Sequence, residues 1–332
     1  MTEPIEDHTE SFSVLVGVDT EADDQWSEQG RRTLDVGNAT RLPELQRMCD
    51  LIDVRPTYFV THEMATREES AAVLRALLQS GRCEIGAHLH PWSTPPFQQD
   101  GAKTHEYPSA LSPDLLERQL AELTQIIERR LGARPTSYRA GRLGCDGRSL
   151  PILEKLGYTV DSSVDPLFNE RRKGGPSFAG APLAPYRPDY DDIRRPGRAR
   201  LLEIPISVGT QPPLPRPLES LYARIPMIPH RGALRRLGLR GVWLRPSYSS
   251  LPDMLALASR IRRRGLPCAN LLFHSSELLP GGSPYTPDSA SVKRFLGDLE
   301  RLLAHLTQKL GALGRTYAEF ERTWTGRSEA RP

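Results

Sequence analysis

Through its first half the chain alternates short, β-rich apolar runs with stretches whose apolar residues fall three and four apart. That alternation predicts parallel strands covered by helices, in a sheet or a barrel. "SFSVLVGVDT" reads as a buried strand ending near Asp19, "LPELQRMCDLID" as a helix and "PTYFVT" as the next strand. "ESAAVLRALLQSG" follows as a helix stopped by Gly81, and "CEIGAHL" as the third strand. After a Pro-rich loop, "SPDLLERQLAELTQIIERRLG" opens with a Ser cap and closes with Gly132, the marks of an amphipathic helix. "TSYRAG" and "YTVDSS" are strand-length segments on either side of a helix around "SLPILEKLG".

From about Pro166 to Ser250 the pattern weakens into Pro, Gly and Arg, with "LLEIPIS" as the one clear strand. This region reads as a long Pro/Arg-rich elaboration, at about 166–250, of a single domain covering 11–320, and it shows no core of its own. Regularity returns with the helix "LPDMLALASRIRRRG", the strand "NLLFHSSE" ending near His274, and the helix "SVKRFLGDLERLLAHLTQKLG". "RTYAEFERTW" predicts one last short strand or helix turn, and residues 1–10 and 326–332 read as disordered tails.

Composition narrows the function classes. The 44 basic and 41 acidic residues nearly cancel, giving a formal charge of +3, so no electrostatic footprint argues for nucleic acid. Cys49, Cys83, Cys145 and Cys268 are scattered without metal-ligand spacing, which predicts buried reduced thiols. No apolar run approaches the roughly 18 residues of a membrane span, and "MTEPIEDHTE" lacks the pattern of a signal peptide. The expectation is a soluble, cytoplasmic protein.

The candidate chemistry lies at the C-terminal ends of four predicted strands, where parallel α/β architectures place their sites. Asp19 with Glu21, His88 with His90, Arg139, and His274 all sit there. Residues two apart on a strand face the same way, so each pair can converge on one point. Two imidazoles and a carboxylate form a common ligand set for zinc and related divalent metals. A solvated turn before Pro91 is the alternative for the two histidines. Arg139 can keep a neighbouring carboxylate ionised or simply tie two loops together, and a lone His274 reads as a core histidine or as a catalyst. Glu84 reads as a partner for the histidines or as turned toward a covering helix. Asp146, Asp161 and Glu277 read as caps or solvated groups.

Taken in order, "VGVDTE", "EIGAHLH", "YRAGRLG", "VDSS" and "LLFH" resemble the five motifs of the polysaccharide deacetylase (NodB-homology) family. "HLHPWSTPPF" and "FHSSELLPGGSPYT" are similar to a divergent bacterial branch of it. The resemblance implies a distorted, incomplete (β/α) barrel that hydrolyses acetyl groups on sugars with a divalent metal. It implies Asp19 as base, His88 as the first metal histidine, Arg139 as the residue that orients the base, and His274 as general acid. Two departures stand out: Thr20 follows Asp19 where the family has a second aspartate, and Trp92 occupies the place of the second histidine. Glu21 and His90 are the substitutes this reading requires.

The expected activity is therefore hydrolysis of an N-acetyl group on a sugar or sugar-containing precursor, with Zn2+ held by Glu21, His88 and His90. Two rivals remain: a metal-independent hydrolase of cyclic imides or ureides, also known on this fold, and a non-catalytic carbohydrate-binding protein.

Overall fold

The computed structural model describes residues 11–97, 106–226 and 230–324. The two predicted tails, 1–10 and 326–332, lie outside these residues. Ten strands are formed: β1 (Ser13–Thr20), β2 (Thr57–Val60), β3 (Glu84–Leu89), β4 (Ser137–Ala140), β5 (Val160–Asp161), β6 (Leu202–Glu203), β7 (Val208–Gln211), β8 (Arg240–Trp243), β9 (Cys268–His274) and β10 (Leu313–Gly314). All but β7 and β8 belong to one parallel sheet in the order β9-β1-β2-β3-β4-β5-β6, with β10 pairing beside the first two residues of β1. It is a curled, incomplete (β/α) barrel.

The pattern of buried apolar residues explains the curl. Outward side chains of the strands, such as Val14, Val16, Val18, Tyr58 and Tyr138, pack against helices including Leu42–Leu51, Glu68–Gln79, Pro113–Leu131 and Ser289–Ala304. Inward ones, Leu15, Phe59, Val160, Leu202 and Ile204, form a separate cluster with Tyr317 and Phe320 of the helix Tyr317–Thr323, which plugs the barrel. Strands buried on both faces read as continuous apolar runs, as β1 does. The cap predicted for the helix Pro113–Leu131 is present: Ser112 Oγ accepts the Leu115 N–H, and Gly132 takes the left-handed conformation at φ 80°.

Between β6 and β9 the barrel is closed by one backbone hydrogen bond and several side-chain ones. Ser207 donates its N–H to the Asn270 carbonyl at 3.0 Å and accepts the Asn270 N–H on its hydroxyl at 2.9 Å. The Asn270 amide donates in turn to the carbonyls of Ile204 and Pro205, at 2.9 and 3.0 Å. "LLEIPIS" is thus shorter as a strand than its sequence predicts, because Pro205 cannot donate to a ladder.

The elaboration holds more structure than its sequence pattern indicates. β7 and β8 pair antiparallel, and Leu167, Ile206, Val208, Tyr222 and Ala223 form a small apolar cluster that Leu143 and Leu272 of the barrel side also touch. Its buried apolar residues come from three separate segments, so no periodic run announces it. "RTYAEFERTW" supplies the helix Tyr317–Thr323, with the short β10 just before it. Among the described residues, no helix is long and apolar enough to cross a membrane.

Candidate active site

Strand register does most of the assembly. Pairing of β1 with β9 sets Asp19 beside His274, and pairing of β3 with β4 sets His88 beside Arg139. All four residues therefore meet at one end of the barrel, with Glu21 and His90 just past the ends of β1 and β3. The structure brings all six predicted site residues together.

Asp19 Oδ1 accepts from Arg139 Nη1 at 2.7 Å, and both side chains are buried. Its other oxygen, Oδ2, stands 4.0 Å from His88 Nε2 and 3.9 Å from His274 Nε2. Burial pushes the Asp19 pKa up, but Arg139, His88 and His274 together outweigh it and hold the carboxyl below its ordinary value. Arg139 is itself fully enclosed. It donates to the Ser162 carbonyl at 2.9 Å, the Ser162 hydroxyl at 3.2 Å and the Tyr317 hydroxyl at 2.7 Å. A Cβ at Gly17 would lie 2.5 Å from this guanidinium and 2.6 Å from the Tyr317 hydroxyl, so only glycine leaves room for them.

Glu21 Oε2 lies 3.3 Å from His90 Nε2 and 3.7 Å from His88 Nε2, and the two imidazole Nε2 atoms are 3.1 Å apart. Burial raises the Glu21 pKa, but His274, His88 and His90 pull it far below the usual carboxylate range. His88 is oriented by its other nitrogen, Nδ1, which donates to the Arg139 carbonyl at 2.9 Å and leaves Nε2 facing the cluster. Burial lowers the His88 pKa, but Asp19 and Glu21 raise it above the ordinary value; at His90, burial and the His88 charge prevail over Glu21 and the pKa falls.

These three side chains fit a divalent ion. Ligand atoms about 2.0–2.2 Å from one ion stand roughly 3–3.5 Å from each other, near the spacings found here. Their donor atoms all lie within 4.8 Å of one another, and the oxygen and two nitrogens suit zinc. His88 is the better supported ligand, since His90 Nδ1 has no hydrogen-bond partner among the described residues. Trp92, in the place of the missing histidine, supports His90 from behind: the rings stack at 4.2 Å, and the indole N–H donates to Gln25 Oε1 at 3.1 Å.

His274 has a partner set that sequence reasoning missed. Its Nδ1 lies 3.0 Å from Glu277 Oε1 and 2.8 Å from Arg245 Nη2, and Arg245 and Glu277 form a tight ion pair. Glu277, read from sequence as a cap or solvated group, is fully buried. Burial raises its pKa, but Arg245 and His274 bring it down to about 2. The three-residue spacing from His274 was the available signal for Glu277; Arg245, in the elaboration, offered none. Tyr317 was missed for the same reason as Arg245. Glu84 shares the inward face of β3 with His88 but lies at the other end of the strand, accepting from Thr57 and from the Ala318 N–H at 2.8 and 3.1 Å.

One end of the parallel barrel thus carries a buried carboxylate, an ion-sized Glu-His-His cluster and a backed histidine. Residues 32–160, which include His88, His90 and Arg139, match the family model for polysaccharide deacetylase. That stretch of the chain is therefore similar to the polysaccharide deacetylase family.

Solved structures share the fold. A candidate polysaccharide deacetylase from Mycobacterium smegmatis aligns at 17% identity over 100% of this chain and 98% of its own, with a TM-score of 0.51. A candidate glycoside hydrolase/deacetylase from Parabacteroides distasonis aligns at 14% identity over 98% of this chain and 74% of its own, with a TM-score of 0.63. The PuuE allantoinase aligns at 12% identity over 95% and 90%, with a TM-score of 0.53. No curated protein matches the sequence.

Proposed function

We propose that this chain hydrolyses an acetamido group on a sugar or sugar-containing substrate, with Asp19 as base and His274 as acid. The observation that carries this reading is the convergence of Asp19, Glu21, His88, His90 and His274 at one buried point. Glu21, His88 and His90 would hold the divalent ion, zinc in our reading, which supplies Lewis acidity toward the amide carbonyl and the attacking water.

Asp19 Oδ2, left free by the Oδ1 contact with Arg139, takes the proton from the water as its oxygen bonds to the carbonyl carbon. Arg139 keeps Asp19 ionised, and Ser162 and Tyr317 keep Arg139 aimed at it. His274 gives its Nε2 proton to the amide nitrogen as the C–N bond breaks, because an unprotonated amine is a poor leaving group. Glu277 and Arg245 hold the ring by Nδ1, so Nε2 is the atom presented to the substrate. Acetate and a free amine result.

A metal-free hydrolase of cyclic imides or ureides is the second reading; in it the 3.1 Å His88–His90 contact is a hydrogen bond between the two imidazoles. Metal content of the purified protein separates the readings. A stoichiometric divalent ion in the wild type that is lost in His88→Ala and Glu21→Ala, together with acetate release from N-acetylated sugars, supports the first. Acetate release at full rate from metal-free protein would sink it.

A further inference from the structure

Beside Asp19 and His274 the barrel end opens into a cavity of about 300 Å³. This is at the small end of the roughly 300–1,000 Å³ typical of ligand pockets. Much of its wall is apolar, including Leu143, Phe168 and Trp243, and much of that wall comes from the elaboration.

One side carries the rings of Trp243, Tyr248, Tyr285 and His274, and Trp26, outside the lining, links Tyr285 to His274. Trp243 meets Tyr248 edge to face at 5.9 Å, Tyr248 meets Tyr285 at 5.3 Å, Tyr285 meets Trp26 at 5.5 Å, and Trp26 meets His274 at 5.1 Å. The run is fixed in place. The Trp243 indole donates to Asp165 Oδ2 at 2.7 Å, and the Arg245 guanidinium lies 4.0 Å from the Tyr248 ring centre and 5.2 Å from that of Tyr285. Elsewhere in the lining are Arg142 and Leu143, both in the left-handed region at φ 52° and 58°. Non-glycine residues there cost about 1–2 kcal/mol each, so this turn is held by its surroundings against its own preference.

We propose that this pocket receives a single acylated sugar residue, stacked on the Trp243–Tyr248 wall with its acyl group directed to Asp19 and His274. The enzyme then acts on a small molecule or a chain end, and not on internal residues of a polymer. This rests on the deacetylation reading above and adds the substrate class to it. The argument is one of volume and surface. A cavity of this size holds one ring with its acyl group, whereas action inside a polymer needs a track for several. Rigid aromatic faces take the C–H face of a sugar, while the hydroxyls turn toward the mouth.

The test uses N-acetylglucosamine and its β-1,4 oligomers up to the hexamer, with the deacetylated position mapped by mass spectrometry. The expected result is that only a terminal residue loses its acetyl group, with kcat/KM nearly flat beyond the dimer. Trp243→Ala and Tyr248→Ala should raise KM by about tenfold while kcat changes little. Tyr248 is 41% exposed, so its variant tests the wall without emptying a core position. Deacetylation of internal residues, kcat/KM that climbs with every added sugar, or an unchanged KM in both variants overturns the proposal. If the wild type releases no acetate from any of these sugars, the reaction assignment fails. Calorimetry with the monosaccharide then judges the pocket: binding weakened in Trp243→Ala upholds it, and no binding by the wild type overturns it.

Discussion

The two flanks of the site are built by different means. On the barrel flank, Asp19, His88 and Arg139 are placed by the hydrogen-bond register of β1, β3 and β4, and His90 continues the same strand direction. On the other flank, His274 comes from a barrel strand, but Arg245, which backs it, reaches across from the elaboration, and Glu277 comes from the turn after β9. Both flanks carry a buried ion pair, Asp19–Arg139 on the first and Arg245–Glu277 on the second. Strand register sets the partners of the first, and a contact reaching across from the elaboration sets those of the second. A backbone-built flank should tolerate changes outside the strands; one built on side chains should fail with a single substitution.

Several experiments press on that contrast. The largest effect is expected from Asp19→Asn and His274→Ala, one on each flank: each should cut acetate release by about 10²- to 10⁴-fold while the metal content of the protein stays unchanged. Next, Arg139→Met removes the partner of a buried carboxylate and should cost about 3–5 kcal/mol of stability, read from the urea midpoint. Gly17→Ala pushes a methyl against the same guanidinium and should cost about 1–3 kcal/mol, with a matching fall in kcat.

Glu277 gives the flank built on side chains a pH signature. Its folded pKa, about 2, lies below the ordinary 4.5. The unfolded chain therefore binds the proton first, and the stability Glu277 contributes is complete above pH 4.5 and lost as pH falls toward 2. Glu277→Gln should flatten the wild-type loss of melting temperature across that window. The smallest effect belongs to the outer face of the elaboration, where Leu221 is 57% exposed. Leu221→Ser should change stability by no more than about 0.5 kcal/mol and leave kcat/KM alone.

The same contrast governs what could be read from sequence. β1, β3, β4 and β9 are short apolar runs that end in polar residues, and a parallel sheet turns such endings into a shared site, so Asp19, His88, Arg139 and His274 were all legible. Glu21 and His90 followed from the two-residue period of a strand. Arg245 and Tyr317 were not legible: each reaches its partner across the fold from a segment whose local pattern carries no trace of that partner. Trp92 was visible as a departure, but its stacking on His90 required knowing where the loop after β3 turns. The aromatic run from Trp243 to Trp26 draws on three segments far apart in the chain, and no spacing rule links them.

The Asn270 side chain that closes the barrel has a second task. Its amide nitrogen reaches the Ser162 hydroxyl at 3.0 Å, and its oxygen accepts from Tyr317, the two groups that hold Arg139. Completion of the barrel and arming of Asp19 are therefore coupled. A chain whose β6 has not met β9 lacks the Asn270 support for Ser162 and Tyr317, and with it part of the seat for the arginine. During refolding, recovery of activity should coincide with closure of that seam, behind the signal for helix formation.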